Sequence, residues 1–257
     1  MLLVIDIGNT NIVVGAFRGE EIAFEFRLTT NAERTGDEYG LMLASLVHEK
    51  VGSDINFSGC IISSVVPPVT PTFVRLVKSR FNIESLVVGP GIKTGLSIKI
   101  PDPASVGSDR IVNAVAGKAL FGTPALIIDF GTATSFDYVN QSGAYEGGII
   151  APGPLVSLES LVRHTAKLPR IEISWPESVI GNSTISAMQS GAVLGYASLV
   201  DGLIDRVITE VGPIKNIIAT GGLGKLFSNH SQKILKYDPY LTMRGMKIIA
   251  QLNGISV

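Results

Sequence analysis

One pattern occurs twice in the chain, about half its length apart. LLVIDIGNTNIVVGAF, from Leu2, and ALIIDFGTATSFDYV, from Ala125, each run an apolar stretch into an Asp, an apolar residue and a Gly. Small hydroxyl or amide residues follow, then a second apolar stretch. With Asp6 set on Asp129, Gly8 falls on Gly131 and Asn9 on Thr132. Short apolar runs bounded by turn residues read as buried strands, so each copy is a β-hairpin with Asp beside its turn. An internal repeat of this kind implies a duplicated unit, with a cleft between the copies. The alternative is two unrelated hairpins whose turns use Asp and Gly because turns favour them.

The remaining sequence alternates strand and helix signals, which indicates an α/β fold. EIAFEFRL extends the first hairpin as a third strand. Asp37 to Lys50 has helical spacing, with Leu41, Ala44, Leu46 and Val47 toward one side. GCIISSVV reads as a buried strand stopped by Pro67 and Pro68. Pro71 to Phe81 read as a helix and ESLVVG as a strand. A helix from Ser105 to about Leu120, followed by the loop FGTP, marks the boundary, which predicts halves at residues 1–120 and 121–257. GGIIAPGP is another strand, broken by Pro152 and Pro154. RHTAKLPRIEISWPES is irregular and is expected as a mobile loop over a cleft, across 161–178. Asn182 to Val211 form a long helical region with internal glycines, and NIIATGG a strand ending in a glycine turn.

Composition narrows the function classes. With 46% hydrophobic and 17% charged residues, the chain supports a packed core rather than disorder. Its 21 basic and 22 acidic residues give a net charge of -1, without the basic excess of a nucleic-acid surface. A single cysteine, Cys60, excludes a disulfide framework and a Cys-rich zinc site, and its apolar setting predicts a buried thiol. No stretch approaches the ~20 apolar residues of a membrane span. MLLVIDIGNT lacks a basic leader, and Asp6 interrupts its apolar run, so an ordinary secretory signal is not expected. A soluble, cytoplasmic protein is. His48 and His230 read as solvated, His164 has no Ser or Cys nucleophile to serve, and Trp175 reads as packing.

The hairpin turns suit phosphate. Gly8, Asn9 and Thr10 offer backbone N–H groups and a hydroxyl with no bulky side chain in the way. Asp6 could hold Mg²⁺, directly or through water, since that ion commonly binds one or two carboxylates plus substrate phosphates. Asp129 to Thr132 repeat the arrangement, and Ala219 to Gly222 supply a third glycine turn, placed for a nucleoside. Two other glycine runs are decoys. GPGIKTG lacks the contiguous Gly-Lys-Ser/Thr of a P-loop, and TGGLGKLF lacks the third glycine and the acidic residue of a dinucleotide site. In DPASVGSDRIVNAV, Gly107, Ser108, Asp109 and Arg110 open a helix. Asp109 could take a proton from a substrate hydroxyl and Arg110 could hold an anion. The same pair also fits an ordinary helix start with a surface ion pair.

Together these motifs resemble type III pantothenate kinases. DIGNTN (Asp6–Asn11), VGSDR (Val106–Arg110), DFGTATSFD (Asp129–Asp137), GGIIAPG (Gly147–Gly153), HTAKLP (His164–Pro169) and IATGG (Ile218–Gly222) occur in that family's order, over nearly the whole chain. The resemblance implies duplicated actin-like, ribonuclease H-like α/β domains with an ATP cleft between them. It implies phosphorylation of pantothenate to 4'-phosphopantothenate by ATP, the first step of coenzyme A synthesis. It also implies a homodimer, Mg²⁺ with ATP, and a monovalent cation, K⁺ or NH₄⁺. Residue by residue, it implies ATP contacts from Asp6, Ile7, Gly8, Asn9, Thr10, Asn11, Ile12, Val13 and Thr132. It implies pantothenate contacts from Ile100, Gly107, Ser108, Asp109, Arg110 and Thr184, with Asp109 as base and Asp129 at the monovalent cation. The family usually has Ala where Ser108 stands and often Tyr where Ile100 stands. Two other readings share the fold: a non-catalytic nucleotide-binding module, and a kinase for another small acid or sugar.

Overall fold

The computed structural model describes residues 1–52 and 56–257. The chain divides into two compact units, Met1–Ala116 with Tyr240–Val257, and Gly117–Pro239.

In the first unit, β1 (Leu2–Ile7), β2 (Asn11–Arg18) and β3 (Glu21–Thr29) form an antiparallel meander. Helix α1 (Gly36–Val51) leads to β4 (Gly59–Ser64), which runs parallel to β1. Helix α2 (Thr70–Phe81) leads to β5 (Ser85–Val87), parallel to β4. A two-residue strand, β6 (Ser97–Ile98), and a 3₁₀ turn (Pro103–Ser105) precede α3 (Ser108–Phe121). The sheet order is β3-β2-β1-β4-β5.

The second unit repeats that plan. β7 (Ala125–Phe130), β8 (Ala133–Val139) and β9 (Ala144–Pro152) form the meander. Then come α4 (Pro154–Arg163), α5 (Thr184–Ser190), a π-helical turn (Gly191–Gly195) and α6 (Tyr196–Val211). β10 (Asn216–Thr220) runs parallel to β7. After α7 (Gly224–Ser228), β11 (Lys236–Tyr237) runs parallel to β10. Among this unit's own strands the order is β9-β8-β7-β10-β11, which matches β3-β2-β1-β4-β5 of the first. Two unrelated hairpins would not share their parallel neighbours as well, so the repeat is a true duplication of the sheet.

Side-chain chemistry accounts for these elements. β1 is almost wholly apolar because it is covered on both faces. On one side lie Tyr39, Leu43 and Val47 of α1 with Phe73 and Val77 of α2. On the other lies α8 (Leu241–Leu252), which packs on β1 and β4. Thr35 and Glu38 close a capping box at the start of α1. The buried face of α1 is Tyr39, Gly40, Leu43 and Val47, whereas Leu41, expected inward, is 69% exposed. The helix is rotated because Gly40 must approach Leu76 of α2: a Cβ there would lie 2.9 Å from Leu76 Cδ2. In the second unit Leu126, Ile128 and Phe136 pack with Tyr196, Val200 and Ile204 of α6. The two units differ from halves cut at 120/121, because the boundary falls within α3 and α8 returns to the first unit.

Candidate active site

Each unit presents its turn at the carboxyl ends of its parallel strands, where open α/β sheets bind ligands. In the first, Ile7 pairs with Ile12, leaving Gly8–Asn11 as the turn. Both isoleucines are buried and anchor it. Gly8 N–H donates to the Asn11 carbonyl at 3.0 Å. Just past β3, Thr30 Oγ1 donates to the Gly8 carbonyl at 2.7 Å, and Thr30 N–H to Thr10 O at 3.0 Å. Asn9, Thr10 and Asn11 are exposed, and Asp6 and Val13 are half-buried and paired across the hairpin.

The start of α3 is fastened beside this turn. Asp6 pairs with Ser63 of β4, and Ile7 with Ser64. Ser108 Oγ accepts from Ser64 N–H at 2.9 Å, donates to the Ser64 carbonyl at 2.9 Å, and lies 3.2 Å from Ser63 Oγ. The first unit thus brings together Asp6 and the Gly107–Arg110 segment through the end of β4. The Asp109 carboxylate turns back to accept from Arg110 N–H at 2.8 Å. A Cβ on Gly107 would lie 2.5 Å from Asp109 Oδ1, so glycine leaves the carboxylate its place. Burial raises the Asp109 pKa above the ordinary carboxylate value, with Arg110 partly opposing it. A desolvated carboxylate at a helix start is suited to act as a general base. Ile100 is half-buried in the segment between β6 and the 3₁₀ turn.

In the second unit Phe130 pairs with Thr134, so the turn is Gly131–Ala133. Gly131 N–H donates to Ala133 O at 3.1 Å. Gly153, at the start of α4, donates its N–H to the Thr132 carbonyl at 3.0 Å. A Cβ on Gly153 would sit 2.4 Å from Thr132 O and 2.5 Å from Gly131 O. Gly221, at φ +85°, approaches as closely: its Cβ would lie 2.5 Å from Asp129 Oδ1. The third glycine turn therefore abuts the half-buried Asp129 itself. Thr132 is exposed.

Thr184 is exposed in the first turn of α5, whose cap is the reciprocal Ser183–Ser186 box. It lines a pocket of about 650 Å³ with Leu158, Leu161, Met188, Tyr196 and Leu199. Leu155, Val156, Leu161 and Ile185 are exposed apolar side chains on the helices that line it. The 161–178 segment is irregular beyond α4, but it is fastened rather than free. Ile173 and Trp175 pack on the second core, and Gln189 Nε2 donates to Ser174 Oγ at 3.1 Å. Trp175 packs as expected and also stacks on His230, with centroids 3.5 Å apart, so this exposed histidine is not simply solvated. Cys60 is fully buried, which pushes its thiol pKa up to about 12.

Sequence reasoning missed the braces: Thr30, Ser63, Ser64 and Gly153. Two serines ending the apolar run of β4 were a usable signal, because polar side chains there must find partners. Among the described residues no cluster of three or more His, Cys, Asp or Glu could hold a metal, and no helix is long and apolar enough to cross a membrane. Gly89–Gly95 runs into β6 rather than a helix, unlike a P-loop.

Residues 2–206 match the family model of type III pantothenate kinases. A type III pantothenate kinase from Exiguobacterium sp. (strain ATCC BAA-1283 / AT1b) is 47% identical over 253 residues, which is 98% of this chain and 99% of that one. Among solved structures, a Campylobacter jejuni protein described as of the Baf family of transcriptional activators gives a TM-score of 0.59 at 20% identity, covering 98% of each chain. The inorganic polyphosphate/ATP-glucomannokinase of Arthrobacter sp. strain KM gives 0.51 at 15% identity, again over 98% of each. At such identities the structures speak for the fold alone, the α/β fold of actin-like ATPases and sugar kinases.

Proposed function

The chain belongs to the type III pantothenate kinase family, and from that premise we propose how its residues serve the reaction. The enzyme phosphorylates pantothenate to 4'-phosphopantothenate with ATP, in coenzyme A biosynthesis. Asp109 takes the proton of the pantothenate primary hydroxyl as that oxygen attacks the γ-phosphorus and ADP leaves. The observation that carries this role is the setting of Asp109: desolvated, at a helix start, and held through Ser108 beside Asp6. Arg110 holds the pantothenate carboxylate, Gly107 and Ser108 shape the backbone against the substrate, and Ile100 gives apolar contact.

The turn from Asp6 to Val13 binds ATP phosphates in the first unit, and Thr132 binds one in the second. When bound with ATP, Mg²⁺ neutralises charge building on the phosphoryl oxygens. Asp6 fits that ion: one carboxylate beside a phosphate turn, rather than an acidic cluster, is the donor set expected when substrate phosphates supply the other ligands. The family resemblance implies a monovalent cation, K⁺ or NH₄⁺, at Asp129, whose carboxylate stands at the end of β7 just before the second turn.

A second copy of the chain covers the apolar pocket on α4, α5 and α6, which would otherwise leave Leu155, Leu161 and Ile185 in water. Thr184, on that pocket, then contacts pantothenate in the dimer. Placing a charge there with Ala192→Glu should give a monomer that binds pantothenate, more than ATP, weakly by calorimetry. A folded monomer with normal pantothenate binding would place the substrate within one chain. The reading sets the enzyme in the cytoplasm with its two substrates. ADP release with pantothenate, against a panel of small acids and sugars, tests the acceptor. Turnover confined to pantothenate is expected, and equal turnover with a panel member would assign another acceptor.

A further inference from the structure

The helical region after Ser183 is not regular. Its buried apolar positions are Met188, Val193, Tyr196, Val200 and Ile204. Five residues separate the first two, where an α-helix would place three or four. The π turn at Gly191–Gly195 absorbs the extra residue. Without it Tyr196 would face about 100° further round the helix. Such wide turns occur often at functional sites, and here the turn aims one tyrosine inward.

The Tyr196 hydroxyl donates to the Pro152 carbonyl at 2.9 Å and lies 2.7 Å from Thr134 Oγ1. Pro152 precedes Gly153, whose N–H holds the Thr132 carbonyl. Thr134, fully buried, is the partner of Phe130 across the hairpin. The tyrosine ring lies 5.4 Å from that of Phe227, which stacks on Phe130 at 5.1 Å. Hydroxyl and ring therefore both end on residues that flank the Gly131–Ala133 turn. Burial raises the phenol pKa and keeps it a donor. Packing alone would be met by Phe; what the hydroxyl adds is a tie between α6 and the turn.

We propose that Tyr196 is a positioning residue for ATP, holding the Gly131–Ala133 turn through Pro152 and Thr134. The proposal rests on the reading of Thr132 as an ATP phosphate contact. Tyr196→Phe should raise KM for ATP about five- to tenfold, the scale of a lost buried hydrogen bond. KM for pantothenate should stay within about twofold and the sedimentation coefficient should not change. Tyr145→Phe is the control. It removes another buried tyrosine hydroxyl of the same unit, one bonded to Asp137 at 2.9 Å, and should lower the melting temperature without moving KM for ATP. Thr132→Ala, measured alongside, should raise KM for ATP more than Tyr196→Phe does. An unchanged KM in Thr132→Ala would overturn the phosphate reading and the proposal with it. A rise in Thr132→Ala with none in Tyr196→Phe would overturn the proposal alone, as would equal shifts in Tyr196→Phe and Tyr145→Phe. If Tyr196→Phe does not fold, Thr134→Val, which drops a hydroxyl and keeps the shape, carries the same expectation and the same refutation.

Discussion

The turns at Gly8 and Gly131 descend from one plan, yet they are held differently. Both follow an Asp at the end of a buried strand, and both close on a glycine N–H. The first is a residue longer, Gly8–Asn11 against Gly131–Ala133. Its brace is Thr30, the residue just after the meander strand β3. The second is pressed by the Gly153 backbone with almost no clearance, and Gly221 packs as closely on Asp129 and Phe130 just before it. The first turn has the start of α3 beside it, carrying Asp109 through the serine stitch, whereas the second has the start of α4, whose first turn holds no acidic residue. Duplication supplied the sheet, and the loops around each copy separated a unit that carries Asp109 beside its turn from a unit that grips its turn tightly.

That contrast can be tested from its largest expected effect downward. Asp109→Asn should cut kcat by ~10²–10⁴-fold, because an amide cannot accept the proton, while ATP binding by calorimetry stays nearly unchanged. Turnover within a few-fold of the unaltered enzyme would remove Asp109 from the chemistry. The same variant has a stability signature. Burial raises the folded-state pKa of Asp109, so its contribution is present below the unfolded carboxylate pKa and is lost as pH rises through the folded value. Asn stays neutral, so Asp109→Asn should raise the melting temperature at pH 7 relative to the unaltered protein and lose that advantage under acid conditions.

The grip on the second turn predicts the next effect. Gly153→Ala drives a Cβ into two backbone carbonyls and should raise KM for ATP more than tenfold, with a loss of stability of ~1–3 kcal/mol. Gly8→Ala meets only Asn11 O, at 3.1 Å, and should cost less on both counts. Kinetics and thermal melts of the pair decide this, and the reverse order would erase the distinction between the turns. Smaller still, Thr30→Val removes the hydrogen bond to Gly8 O and should weaken ATP by a few-fold, near ~1 kcal/mol. Smallest on catalysis is Ser108→Ala. It should lower the melting temperature by freeing the end of β4, but leave kcat within a few-fold, since the family resemblance already puts Ala there.

Much of this was legible in the sequence, because the repeat consists of period-2 and all-apolar runs with Asp and Gly at fixed offsets. Those signals depend on local chemistry, and the strands, turns and start of α3 follow them. What was not legible depends on distant neighbours. Leu41 faces solvent because Gly40 lets α2 close in, and that requires knowing where Leu76 lies. The return of α8 to the first sheet leaves no mark in its own amphipathic pattern. Gly153 and Tyr196 read as a motif glycine and a helix aromatic, and only the packing shows which backbone each one meets.

If the duplicated turn has diverged as proposed, its two copies hold different ions, Asp6 serving Mg²⁺ and Asp129 serving K⁺ or NH₄⁺. The direct measurement is turnover titrated with Mg²⁺ at fixed K⁺, and with K⁺ at fixed Mg²⁺, in Asp6→Asn and Asp129→Asn. Asp6→Asn should shift the Mg²⁺ requirement upward and keep K⁺ activation, whereas Asp129→Asn should lose K⁺ activation and keep its Mg²⁺ requirement. Both variants shifting the same ion, or an unaltered enzyme equally fast in Na⁺ and K⁺, would contradict it.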